Sequence, residues 1–121
     1  MASGLSKIEI ITSFTKFTEL QSELGHLGVR GMTVSQVLGC GIQKGSAEYA
    51  VEENEEIVLL PKQQITLVVE TSKVHDIVEA VKQILYTGHI GDGKIFISHM
   101  DNAVKIRTGE QGYDAMQGND E

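Results

Sequence analysis

Gln64-Ile-Thr-Leu-Val-Val69 is followed by Lys73-Val-His-Asp-Ile-Val-Glu-Ala-Val-Lys-Gln-Ile-Leu-Tyr86 and, past a run of glycines, by Lys94-Ile-Phe-Ile-Ser98. The first and last segments are short, apolar and rich in β-branched residues, which predicts two strands. Between them Val74, Ile77, Val78, Val81, Ile84 and Leu85 recur at helical spacing and fall on one face. Ser72 is the expected N-cap, and Asp76 sits in the first turn, where a negative charge is favoured. This strand–helix–strand unit is matched by a similar one upstream. Lys7-Ile-Glu-Ile-Ile-Thr12 alternates like a strand. Lys16 to Leu27 carries Phe17, Leu20, Leu24 and Leu27 as one helical stripe, with Gly25 and Gly28 at its end. Gly31-Met-Thr-Val-Ser-Gln-Val-Leu38 reads as a further strand that runs into glycines at 39–45.

The order is βαββαβ, the α+β ferredoxin-like pattern with an antiparallel sheet and both helices on one face. Val104 to Thr108 is predicted as a short additional C-terminal strand. Residues 46–58 are acidic and without period, which predicts a long loop with Ile57–Leu60 as its stem and Pro61 as punctuation. The open sheet face must be covered by solvent-tolerant residues or by another subunit. The Ile and Val content of three strands favours a subunit.

At 121 residues the chain is the size of one domain, taken here as 1–121, and buries roughly 65% of its unfolded surface. No apolar run approaches the roughly 20 residues of a membrane span, so the chain is not expected to be membrane-embedded. Met1 to Lys7 has no hydrophobic signal core, which points to the cytoplasm. The lone Cys40 can form neither an internal disulfide nor a multi-cysteine zinc site. The four histidines show no metal-ligand spacing.

The net charge of −7 argues against a general nucleic-acid binder. The charge is unevenly placed, however. Residues 46–61 hold five acids and residues 109–121 hold four, with no Lys or Arg in either segment, leaving a body of about +2. Both acidic segments read as solvated loop or tail.

Three glycine clusters lie beside Lys or Arg, a pattern that suggests an anion site. Gly88-His-Ile-Gly-Asp-Gly-Lys94 nearly matches a phosphate-binding loop, but Ile95 replaces its Ser or Thr, and a helix rather than a strand precedes it. A turn that merely needs glycine and a cradle of N–H groups backed by Lys94 both fit. Lys105-Ile-Arg107, read as strand, places two cations on one face, where Arg107 can grip a phosphate bidentately. Gly39-Cys-Gly-Ile-Gln-Lys-Gly45 adds a second glycine-rich stretch, in which Gln43 has a carbonyl oxygen suited to Mg²⁺. Turn glycines at a strand end fit it equally.

Together Gly31-Met-Thr-Val34, Gly39 to Gly45, Leu60-Pro-Lys62, Thr87 to Phe96 and Lys105-Ile-Arg-Thr-Gly-Glu110 resemble PII signal-transduction proteins, without a gap from about Lys7 to Met116. The resemblance implies a non-enzymatic homotrimer that binds ATP or ADP between subunits. It also implies a flexible T-loop, here about 41–59, that controls a partner, most consistently the cytoplasmic face of a membrane transporter or channel. Carried over, Thr33, Thr66 and Val68 line the adenine pocket and Ile11 packs on the base. Gly91, Gly93, Lys94, Lys105 and Arg107 hold phosphates, partly from the adjacent subunit. Gly31, Met32, Gly39, Gly41, Ile42, Lys44, Ile90 and Asp92 belong to the same nucleotide-binding segments. Gln43 ligates Mg²⁺ beside 2-oxoglutarate, and Lys62 pairs with that ligand or with phosphates.

Four departures stand out. Ile42 replaces an Arg that reaches the terminal phosphate, and Lys105 replaces an Arg. Glu55 stands where many members carry a uridylylated tyrosine, which implies that this modification is absent. Val51 replaces a loop arginine. Two other readings remain from the residues alone: a small ferredoxin-like phosphotransferase or slow ATPase, and a purely structural oligomer. The first lacks a placed base or nucleophile. The second has no use for cations beside glycine clusters.

Overall fold

The computed structural model describes residues 4–13, 16–44 and 55–117. Strands β1 (Leu5–Thr12), β2 (Thr33–Lys44), β3 (Glu55–Glu70) and β4 (Lys94–Met100) form one sheet in the order β2-β3-β1-β4, antiparallel throughout. Helix α1 (Phe17–His26) follows β1, and α2 (Val74–Leu85) follows β3 through a single 3₁₀ turn, Thr71–Lys73. This is the expected ferredoxin-like arrangement.

The side-chain period of two sorts the sheet into faces. Ile8 lies opposite Leu67, and Ile10 opposite Ile65. All four are buried against Leu20 and Leu24 of α1 and Ile77, Val81 and Leu85 of α2. Half of the Ile and Val of β1 and β3 (Ile8, Ile10, Ile65 and Val69) is thus consumed by the helix face. The opposite face carries Lys7, Glu9 and Ile11 beside Gln64, Thr66 and Val68, with Gln64 Nε2 donating to Glu9 Oε2 at 3.0 Å.

Helix α1 stops as its glycines predict. Val29 N donates to Leu24 O at 2.9 Å and Gly28 N to Gly25 O at 3.0 Å, with Gly28 at φ +89°. That is the Schellman pattern, in which a left-handed residue satisfies the last carbonyls.

Four expectations are corrected. The glycines at 39–45 do not end β2: it continues to Lys44 and pairs with β3 down to Lys44 opposite Glu55. A two-stranded ribbon therefore takes up both flanks of the predicted loop, because ladder hydrogen bonds outweigh weak local propensity. The tip of that loop, including Tyr49 and Val51, lies outside the described residues. Pro61 does not punctuate, since it sits inside β3 opposite Leu38. The β1–β3 ladder ends at Thr12 opposite Gln63, so at Pro61 strand β3 has one open side, where a missing N–H costs no ladder bond. Val104–Thr108 is not a strand. Only Val104 bridges, to Gln111, and the chain between them turns, with Gly109 N bonded to Lys105 O at 2.7 Å. Ser72 is not an N-cap: it lies within the 3₁₀ turn, and α2 has no side-chain cap.

Candidate functional site

The candidate residues fall into two groups on the molecule. The first lines a cleft of about 620 Å³ between the segment after α1, strand β3 and the C-terminal turn. Gly31, Met32, Thr33, Thr66, Val68, Lys105 and Arg107 all border it. Thr33 lies directly opposite Thr66 in the β2–β3 ladder, so the two hydroxyl-bearing side chains share the open sheet face. Lys105 and Arg107 reach the cleft from a turn rather than from a strand. Lys105 N donates to Glu110 O at 2.8 Å, closing that turn. Lys105 Nζ donates to the Gln117 carbonyl at 2.8 Å and lies 3.8 Å from Glu110 Oε1.

The second group surrounds the Gly88–Lys94 turn. Asp92 shapes it: its carboxylate accepts from the Thr87 hydroxyl, from Thr87 N at 2.9 Å and from Gly88 N at 3.0 Å. The Thr87 hydroxyl, and then the Thr87 amide, hold the Asp92 carboxyl below the ordinary aspartate value; the Gly88 amide and nearby His89 act in the same direction. Gly91 and Gly93 have φ of +108° and +105°, which favours glycine. A Cβ on Gly93 would also collide with the Ile11 carbonyl, so the turn lies directly on the end of β1. Ile90 stands fully exposed at its tip, and Lys94 opens β4 opposite Ile11.

Lys62 joins this second group from β3. Its Nζ donates to Ser13 Oγ at 3.2 Å, and its stem lies across Gly39, where a Cβ would come within 2.9 Å of Cγ and Cε. Gly41, Ile42, Gln43 and Lys44 continue the same strand, but their side chains lie outside the described residues. The magnesium assignment of Gln43 is among those outside.

The family assignment rests on both the motifs and this geometry. The family model for nitrogen regulatory protein P-II matches residues 5–110. The chain belongs to the P-II family. A P-II protein of Azospirillum brasilense is 41% identical over 112 residues, covering 93% of this chain and all of that relative. A Bacillus subtilis GlnK solved in complex with ATP superposes with a TM-score of 0.80 at 38% identity, covering 94% of this chain and 99% of the other. An Arabidopsis thaliana PII bound to citrate gives 0.75 at 30% identity, covering 93% and 92%. P-II proteins are regulators of nitrogen signalling and not enzymes, and the chain takes that class with its membership.

Within this P-II fold, sequence reasoning missed several residues. Arg30, Glu70 and Lys73 line the cleft, and so do Tyr113 and Met116 from the C-terminal 3₁₀ turn. Arg30 was findable, since it sits between Gly28 and Gly31 and a cation beside clustered glycine is the anion signal. Lys73 had no such signal. Its Nζ is brought to the cleft beside Gly28 by the packing of the α2 entrance, 3.7 Å from Glu70 Oε1. Ser13 had none either. Among the described residues, no helix is long and apolar enough to cross a membrane.

Proposed function

We propose that this P-II protein is a homotrimeric sensor of ATP and ADP, with each nucleotide held between neighbouring copies. The observation that carries this reading is the split of the candidate residues into two half-sites. One half offers Thr33, Thr66 and Val68 with Lys105 and Arg107, and the other offers Ile11, the Gly91–Lys94 turn and Lys62. Neither half alone joins a base pocket to the glycine-rich turn. Ile90 in one half and Ile106 in the other are fully exposed, as expected of residues that a second copy covers. The similarity to a GlnK solved with ATP supports the same reading.

The residues fit such a ligand. The cleft volume lies in the range of small-molecule sites, roughly 300–1,000 Å³. Cations and positive-φ glycines supply charge and N–H groups for phosphates. In this proposal Gln43 presents its carbonyl oxygen to Mg²⁺, and 2-oxoglutarate binds beside it. Lys62, a triple donor with one proton on Ser13, then meets that ligand's carboxylate. Residues 1–121 act as one domain, with 41–59 as the T-loop and 110–121 as an acidic tail. The loop regulates a partner, the cytoplasmic face of a transporter, and brings a cytoplasmic protein to the membrane. Its acidic residues would seek a basic pocket.

Calorimetry with ATP and with ADP, together with mass determination in solution, tests the core of this reading. It expects binding of either nucleotide to a trimer. A monomer, or a chain that binds neither nucleotide, refutes it. Pull-downs against membrane fractions at low and high salt test the loop, whose capture should weaken as salt rises.

A further inference from the structure

Ser13 lies outside every motif, yet it is the meeting point of three elements. It follows β1, touches the Gly88–Lys94 turn and accepts from Lys62 of β3. Its backbone N and its Oγ both donate to the Gly91 carbonyl, at 3.2 Å and 2.8 Å. Lys62 Nζ donates to the same Oγ at 3.2 Å. The ammonium occupies the hydroxyl's lone-pair side, which leaves the hydroxyl proton for Gly91. A Cβ on Gly91 would come within 2.8 Å of Ser13 Oγ, so the serine sits against the backbone itself.

The consequence follows from peptide planarity. In a trans peptide the C=O and the next N–H point in opposite directions. With the Gly91 carbonyl drawn back onto Ser13, the Asp92 N–H points the other way, out of the turn. A flip of this peptide turns Gly91 ψ and Asp92 φ; glycine leaves the first weakly constrained, and aspartate is among the side chains that tolerate a left-handed φ. A flip would present a carbonyl oxygen where an anion needs a donor.

We propose that Ser13 is a positioning residue for the anion-binding turn: it fixes the Gly91–Asp92 peptide with its N–H outward, and Lys62 polarises the hydroxyl that does so. This rests on the nucleotide-sensor reading above and adds to it the residue that preorganises the phosphate end of the site.

The test compares full-length wild type, Ser13→Ala and Ser13→Thr by calorimetry with ADP, ATP and adenosine, alongside amide NMR of the ligand-free protein. Ser13→Ala is expected to weaken ADP and ATP about tenfold, the scale of a lost buried hydrogen bond. Adenosine, which has no phosphate, should bind as it does to wild type. Ser13→Thr keeps the hydroxyl and should restore the nucleotide affinity. The Asp92 amide resonance should move in Ser13→Ala and not in Ser13→Thr. An equal loss for adenosine overturns the proposal, because the role is then merely structural. So does an unmoved Asp92 amide, or an unchanged ADP affinity in a wild type that binds ADP. A wild type with no nucleotide affinity refutes the sensor reading instead, and the amide shift still reports on the peptide.

Discussion

Lys105 Nζ donates to the Gln117 carbonyl at 2.8 Å, so a cation of the cleft is held by the chain's own C-terminal segment. On the proposed function, a phosphate would compete for that ammonium with a neutral carbonyl and with Glu110 at 3.8 Å. Lys105→Met is expected to weaken ADP and ATP by about tenfold or more, the scale of a charge-assisted hydrogen bond. The same substitution should speed amide exchange across residues 112–117. Calorimetry and hydrogen exchange measure the two effects, and a tail unaffected by the substitution would show that Lys105 does not anchor it.

Gly39 and Lys62 make a second prediction. The lysine stem lies where an alanine methyl would go, and a flexible side chain can yield without unfolding the sheet. Gly39→Ala should leave the melting temperature within about 4 °C of wild type, equivalent to less than about 1 kcal/mol in a domain of this size. It should nevertheless displace Lys62 from Ser13 and lower nucleotide affinity. Calorimetry against scanning calorimetry separates the two; loss of stability without loss of affinity would contradict the placement of Lys62.

Gly93 is the stricter position. Its φ of +105° and the Ile11 carbonyl behind it leave no room for a side chain. Gly93→Ala should cost about 1–3 kcal/mol in denaturant unfolding, from backbone strain together with displacement of the turn. ATP and ADP binding should fall with it. A variant as stable as wild type would mean that the turn stands off β1.

Asp92 gives a pH dependence. Its carboxyl is depressed below 3.8, first by the Thr87 hydroxyl and next by the Thr87 amide. A depressed acid stabilises the folded turn fully above its unfolded value, and that contribution is lost as pH falls through the folded value. The Thr87 and Gly88 amide resonances should therefore hold steady from pH 7 to pH 5 and move only below about pH 4. Asp92→Asn should abolish that movement. Movement between pH 7 and pH 5 would show that Asp92 does not govern the turn.

How much was legible beforehand depends on the kind of interaction. Helix α2 was readable from Val74 to Leu85 because one helix face meets one core, and local period reports that face directly. Strand β1 and residues 64–69 of β3 were readable from their own local runs of apolar residues. Val104 to Thr108 was misread as strand because its alternating residues lie in a turn, closed by Gly109 N on Lys105 O, whose cations border the cleft. Pro61 was misread because its cost depends on whether a strand lies alongside, and β1 ends before it reaches Pro61.

Residue order alone determined the βαββαβ topology, the inward stripe of each element and the glycine-rich segments that suggest an anion site. These are properties of period and of residue type, and they need no knowledge of what lies opposite in space. Tertiary structure decided that β2 and β3 extend as a ribbon through the glycines, that the candidate residues fall into two separate groups, and that Ser13 joins Lys62 to Gly91. The Lys62–Ser13 and Ser13–Gly91 contacts span 49 and 78 residues of sequence. No local pattern encodes a hydroxyl that becomes significant only when three distant segments pack against it.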